Sequence, residues 1–127
     1  MSIKETSISQ YLSYKGEYIK PYKPLKIDKK WGYELIIRNE TYCGKILCFE
    51  KGKRCSGHLH LLKTETWYCL CGKFNLLIID PKTAQETIFE FKKGDCFHLP
   101  SGLPHQIVCF ETGCIMEVST KDYYDDS

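Results

Sequence analysis

From Trp31 onward, apolar and polar positions alternate in short runs separated by turn residues at roughly ten-residue intervals. The runs predict strands over 33–38, 44–49, 57–61, 65–70, 74–79, 86–91, 96–99, 105–110 and 114–118. Between them lie the turn signals Gly52, Cys71-Gly72-Lys73, Asp80-Pro81-Lys82-Thr83, Lys93-Gly94-Asp95, Pro100-Ser101-Gly102 and Thr112-Gly113. Valine, isoleucine, leucine, phenylalanine and tyrosine fill the runs, as a pleated, half-buried surface favours. No stretch after residue 31 carries a helical period over three turns. The expected class is therefore all-β, a sandwich or barrel that closes or doubles its sheet to protect the edges.

Residues 1–30 have a different texture. They hold Tyr11, Tyr14, Tyr18 and Tyr22, two prolines, and seven lysines against three acids, with no clean period. This predicts an N-terminal arm, extended or short-helical, ahead of a single barrel domain over 31–127 that ends in a short polar tail. Four tyrosines on a cationic arm point to packing, either on its own barrel or on a second copy; small barrels often pair, so a homodimer is expected.

Bulk composition narrows the function classes. A chain of 127 residues with 43% hydrophobic and 13% aromatic content builds one domain with a real core. The formal charge of +2 gives no electrostatic case for nucleic acid or an anionic membrane. No apolar run approaches the roughly 20 residues that cross a bilayer. Residues 1–6 lack an apolar signal core, so the expected location is cytoplasmic. In that setting the eight cysteines read as free, mostly buried thiols acting as small hydrophobes, and no CxxC pair supports a zinc ribbon or redox motif.

Within this β pattern, three of the chain's four histidines and one glutamate are framed by glycines and a proline. His58 and His60 are two residues apart, so on a strand both imidazoles leave the same face. Glu65 begins the next strand after a short connection, and His105 follows the Pro-Ser-Gly turn. Three imidazoles and a carboxylate form a donor set for one divalent transition ion, with room left for water or substrate. Zinc, manganese, iron, cobalt and nickel all suit it. His98 reads as an ordinary surface histidine.

Alternation extends the inward face. Trp67, Cys69 and Cys71 share the side of Glu65, while Ile107 and Cys109 share that of His105. Trp67 offers a flat apolar wall for a sugar ring, or an ordinary core aromatic. Lys45 interrupts an apolar run and is a candidate to hold a phosphate or carboxylate or to act in catalysis; an outer-face lysine would show the same pattern. Cys69, Cys71 and Cys109 are read as inert packing.

The spacings Gly52-x5-His58-x-His60-x4-Glu65-x6-Gly72 and Gly94-x5-Pro100-x-Gly102-x2-His105 resemble the two motifs of the cupin superfamily, with Cys109 in place of a final asparagine. The resemblance implies a double-stranded β-helix (jelly-roll) barrel with His58, His60, Glu65 and His105 as metal ligands. Over residues 29–126, Trp31-Gly32-Tyr33-Glu34, Glu65-Thr66-Trp67, Leu99-Pro100-Ser101-Gly102 and the segment from Glu117 to Tyr123 look like the cupin domain of type II phosphomannose isomerases. That pattern has glutamine-x-histidine at 58–60, further histidines at 61–62 and arginine at 106, where this chain has His58-Leu59-His60, Leu61-Leu62 and Gln106.

The expected function is a metal-dependent sugar or sugar-phosphate isomerase or epimerase working through an enediolate. With Glu65 occupied as a ligand, no other carboxylate stands out as the base, and Lys45, a metal-bound hydroxide and His98 are the candidates for proton transfer. Two rivals remain: a non-catalytic cupin that binds a sugar or small anion through its metal, and an iron-dependent dioxygenase.

Overall fold

The computed structural model describes residues 12–58 and 63–121, with residues 56–58 described through their backbone. Among them, ten strands and no helix form two sheets. Strands β1 (Leu12–Tyr14) and β2 (Glu17–Ile19) make a small hairpin, turned by Lys15 and Gly16, both at positive φ. The arm is thus extended where it is described. Its last piece, β3 (Leu25–Lys29), joins the main sheet by pairing with β4 (Gly32–Asn39).

The main sheet continues through β5 (Tyr42–Phe49), β6 (Arg54–His58), β7 (Glu65–Ile79), β8 (Glu86–Lys92), β9 (Cys96–Leu99) and β10 (His105–Thr120), in the order β3-β4-β5-β10-β7-β8. Two of these strands are much longer than the sequence pattern predicted. The runs at 65–70 and 74–79 are one strand, as are 105–110 and 114–118. The glycines read as turns instead mark bends within β7 and β10. Gly72 has φ +89°, and a Cβ on Gly113 would overlap the Cys71 carbonyl oxygen, so two backbones meet where side chains have no room.

That bend builds the barrel. The second half of β10 pairs with β5 and with the first half of β7, whose outer neighbour is β9. The first half of β10 pairs with β6 and with the second half of β7, flanked by β8. β7 and β10 therefore each belong to both walls of a two-walled barrel. Inward positions alternate along them as the pleat requires: Glu65, Trp67 and Cys69 on β7, and His105, Ile107, Cys109, Ile115 and Glu117 on β10, all buried.

One end of the interior is filled by Phe49, Phe74, Phe91, Leu76 and Ile115, all nearly inaccessible. Phe49 from one wall meets Phe74 from the other edge-on, with ring centroids 5.4 Å apart. Each such ring contributes about 1.5–3 kcal/mol through burial. The other end carries the polar inward residues, so apolar packing closes one end and leaves a cavity at the other.

The cysteines correct one expectation. Cys48 on β5 and Cys114 on β10 are register partners with Cα atoms 4.2 Å apart, and they form a cross-strand disulfide. Their separation of 66 residues gave no sign of this pairing in the sequence. Cys43, Cys69 and Cys109 are free and buried, and Cys71 and Cys96 are exposed.

Candidate functional site

A cavity of about 300 Å³ opens between the walls, lined by residues from β4, β5, β6, β7 and β10 and from the segments beside them. Its apolar surface comes from Trp31, Leu47, Phe49, Trp67 and Ile107. Trp31 stacks on Phe49 with ring centroids 4.3 Å apart. Its polar surface comes from Glu65 and His105, with Lys29, Glu34, Lys45, Lys63 and Glu117.

Glu65 and His105 are brought together because β7 and β10 pair in both walls. The Glu65 carboxylate accepts a 2.6 Å hydrogen bond from Trp67 Nε1, and the Trp67 ring meets the His105 ring edge-on at 5.5 Å. Burial pushes the Glu65 carboxyl up to about 7, with the neighbouring Glu117 carboxylate adding to the shift against Lys63 and the Trp67 hydrogen bond. His105 Nδ1 lies 2.9 Å from the Leu103 carbonyl oxygen. A carbonyl only accepts, so Nδ1 carries the proton and Nε2 keeps the lone pair in the neutral ring. This is how metal-ligating histidines are usually oriented.

His58 is the register partner of His105 across β6 and β10, so their backbones adjoin at the cavity end of both strands. His58 is described only in its backbone, and His60 lies outside the described residues. Among the described residues, no group of three or more histidine, cysteine, aspartate or glutamate side chains is arranged to hold a metal ion. Two of the four expected ligands, Glu65 and His105, line one cavity, and their chemistry fits a divalent cation. A buried carboxyl disfavoured as an anion gains from such a charge, and the imidazole tautomer is the ligating one.

Lys45 and Trp67 both face inward and are buried. Lys45 Nζ stands 3.9 Å from Glu34 Oε1, and Lys45 is the register partner of Glu117. Lys63 Nζ lies 2.8 Å from Glu117 Oε2, which also accepts a 2.9 Å hydrogen bond from Ser119 Oγ. The expectation that no second carboxylate faces the cavity is therefore overturned by Glu34 and Glu117. Glu117 follows from the odd-numbered inward alternation after His105, which is interrupted at exposed Glu111 and resumes at Gly113, a signal hidden by reading Thr112-Gly113 as a turn. Glu34 sits in the Trp31-Gly32-Tyr33-Glu34 motif, but its direction depends on β4 register. Lys63 sits in a connection with no period to read.

Cys71, expected on the inward side with Glu65, is instead exposed at the bend, whereas Cys69 and Cys109 are buried. Burial raises the Cys69 thiol to about 11, and its Sγ lies 3.3 Å from the Cys71 carbonyl oxygen. Cys109 is also pushed up by burial. Of the cysteines, Cys55 is the one lining the cavity. His98 is exposed on β9, with Nδ1 2.9 Å from Thr66 Oγ1.

Neither a protein-family model nor a curated protein sequence matches the chain. The likeness is to solved structures. The capsular polysaccharide assembling protein CapF from Staphylococcus aureus superposes with a TM-score of 0.74 at 14% identity, covering 83% of this chain and 30% of that chain. Oxalate decarboxylase from Bacillus subtilis, a protein with Mn(II) centres, gives 0.71 at 18% identity over 98% of this chain and 37% of that one. KdgF from Halomonas sp. gives 0.65 at 16% identity over 80% and 91%. The fold is a cupin fold. This cupin barrel spans well under half the length of the CapF and oxalate decarboxylase chains, and at these identities the likeness is one of fold.

Proposed function

We propose that this cupin is a metal-dependent isomerase or epimerase of a small sugar or sugar phosphate. The carrying observation is the placement of the Glu34–Lys45 pair in the same cavity as Glu65 and His105. Proton transfer next to a carbonyl needs an acid–base group within reach of the bound substrate, and this pair supplies what the sequence alone lacked. At about 300 Å³, the cavity is at the lower end of the range for small-molecule sites.

The ion would be held by Glu65 and His105 with His58 and His60, the residues that the cupin motif spacing assigns to it. Bound there, a divalent transition ion supplies Lewis-acid polarisation of two neighbouring substrate oxygens and offsets enediolate charge. The protein's own groups do the rest. Trp67 presents the indole wall against which a sugar ring lies. Glu34 takes the carbon-bound proton and returns it to the adjacent carbon, while Lys45 gives a proton to the carbonyl oxygen and takes one back from the neighbouring hydroxyl. Lys45 positions a substrate oxygen beside Glu34. The phosphomannose-isomerase-like residues, Trp31-Gly32-Tyr33-Glu34 among them, support this class over the other cupin chemistries. A homodimer and a cytoplasmic location belong to the same proposal.

The test is solvent-deuterium incorporation into aldose and ketose phosphates under argon, with protein loaded with zinc, manganese or cobalt. Incorporation that Glu34→Gln abolishes is expected. Thermal stabilisation by sugars without exchange would make the protein a binding module, and oxygen consumption with ferrous iron would make it a dioxygenase.

A further inference from the structure

The cavity lysines are not equivalent. Lys45 lies 3.9 Å from Glu34, and Lys63 lies 2.8 Å from Glu117, so both sit beside a carboxylate in the buried interior. Lys29 lines the same cavity from the end of β3, is exposed, and makes no ion pair among the described residues. Strand register places it. Lys29 pairs with Gly32, which pairs with Phe49, whereas Glu65 pairs with Ser119, which pairs with Cys43. Lys29 therefore stands at the level of the Trp31–Phe49 stack, several residues along the strands from the level of Glu65.

We propose that Lys29 is the specificity residue for an anionic group on the substrate, engaging a terminal phosphate while the reacting oxygens lie at the Glu65 end. The assignment rests on the isomerase reading for which end reacts. An exposed ammonium at the rim captures an anion at little desolvation cost, whereas a buried lysine already beside a carboxylate would have to exchange partners. The adjacent indole and phenyl rings wall the intervening space without competing for charge. A phosphorylated monosaccharide carries both features, a hydroxy-carbonyl end and a distal anion.

The experiment is calorimetric titration of metal-loaded wild type, Lys29→Ala and Lys29→Arg with glucose 6-phosphate, glucuronate and glucose. Expected is about tenfold weaker binding of glucose 6-phosphate by Lys29→Ala, retention by Lys29→Arg, and unchanged binding of glucose. Lys29-dependent binding confined to glucuronate would overturn the phosphate assignment in favour of a carboxylate. Equal affinity of wild type and Lys29→Ala for glucose 6-phosphate, or no binding of it by wild type, would overturn the anchor itself. The deuterium-exchange assay reports separately: absent exchange with intact Lys29-dependent binding removes the isomerase reading and leaves the anchor standing.

Discussion

Lys63 Nζ and Glu117 Oε2 lie 2.8 Å apart with side chains only 2% and 5% exposed, a charged pair held inside the barrel beside Glu65. Breaking it is costly because the surviving charge has no water to replace its partner. Lys63→Met should destabilise the protein by about 3–5 kcal/mol in urea denaturation. The double variant Lys63→Met/Glu117→Leu should recover most of that loss. Additive losses in the double variant would show that the pair is not a unit.

Glu65 gives the metal-free protein a pH dependence. Its carboxyl is raised from the ordinary 4.5 to about 7, chiefly by burial, so folding favours its protonated form. The associated stability is fully present below 4.5 and is lost as pH rises through about 7. Urea midpoints of chelator-treated wild type should fall across that window relative to Glu65→Gln. Parallel pH profiles for the two proteins would contradict the shift.

Trp67 links a carboxylate to an imidazole. Trp67→Phe keeps a ring in the wall but deletes the 2.6 Å hydrogen bond to Glu65. The expected loss is about 1.5–3 kcal/mol of stability and, on the proposed ligand set, roughly tenfold weaker metal affinity because Glu65 loses its orienting partner. Denaturation and competitive chelator titration measure the two effects. Unchanged affinity would detach Glu65 from the metal.

The Cys48–Cys114 bond predicts six alkylatable thiols among the eight cysteines of the denatured, unreduced chain. Cys48→Ser should lower stability by about 2–4 kcal/mol, the usual worth of a bridge closing a long loop. Eight reactive thiols in protein purified under air would remove the bond.

Glycine substitutions separate space from backbone strain. Gly52 has φ +84° in open surroundings, so Gly52→Ala should cost only about 1–2 kcal/mol. Gly113→Ala forces a methyl into the Cys71 carbonyl and should cost more than 4 kcal/mol or block folding. Equal midpoints for the two variants would place the tight crossing elsewhere.

The sequence and the structure agree most where a residue's direction follows from parity. Cys96–Leu99 matches its strand in the structure, and Glu65, Trp67 and His105 face inward as alternation predicts. What stayed hidden depends on pairing between distant strands. Thr112-Gly113 has the composition of a turn, and its role as a bend follows from meeting Cys71 and Gly72 across the barrel. Glu34 and Glu117 become neighbours of Lys45 and Lys63 through register, which no local window contains. Cys48 and Cys114 are bonded for the same reason.

β10 spans residues 105–120 yet borders β5, β6 and β7, and so completes both walls. During synthesis, everything before it emerges as strands with raw edges and a half-made chamber. Productive folding must wait for this late segment, making the intermediate slow to mature and vulnerable to intermolecular pairing. Ribosome-bound chains halted before residue 105 should therefore engage chaperones, while those carrying β10 clear of the exit tunnel should be released.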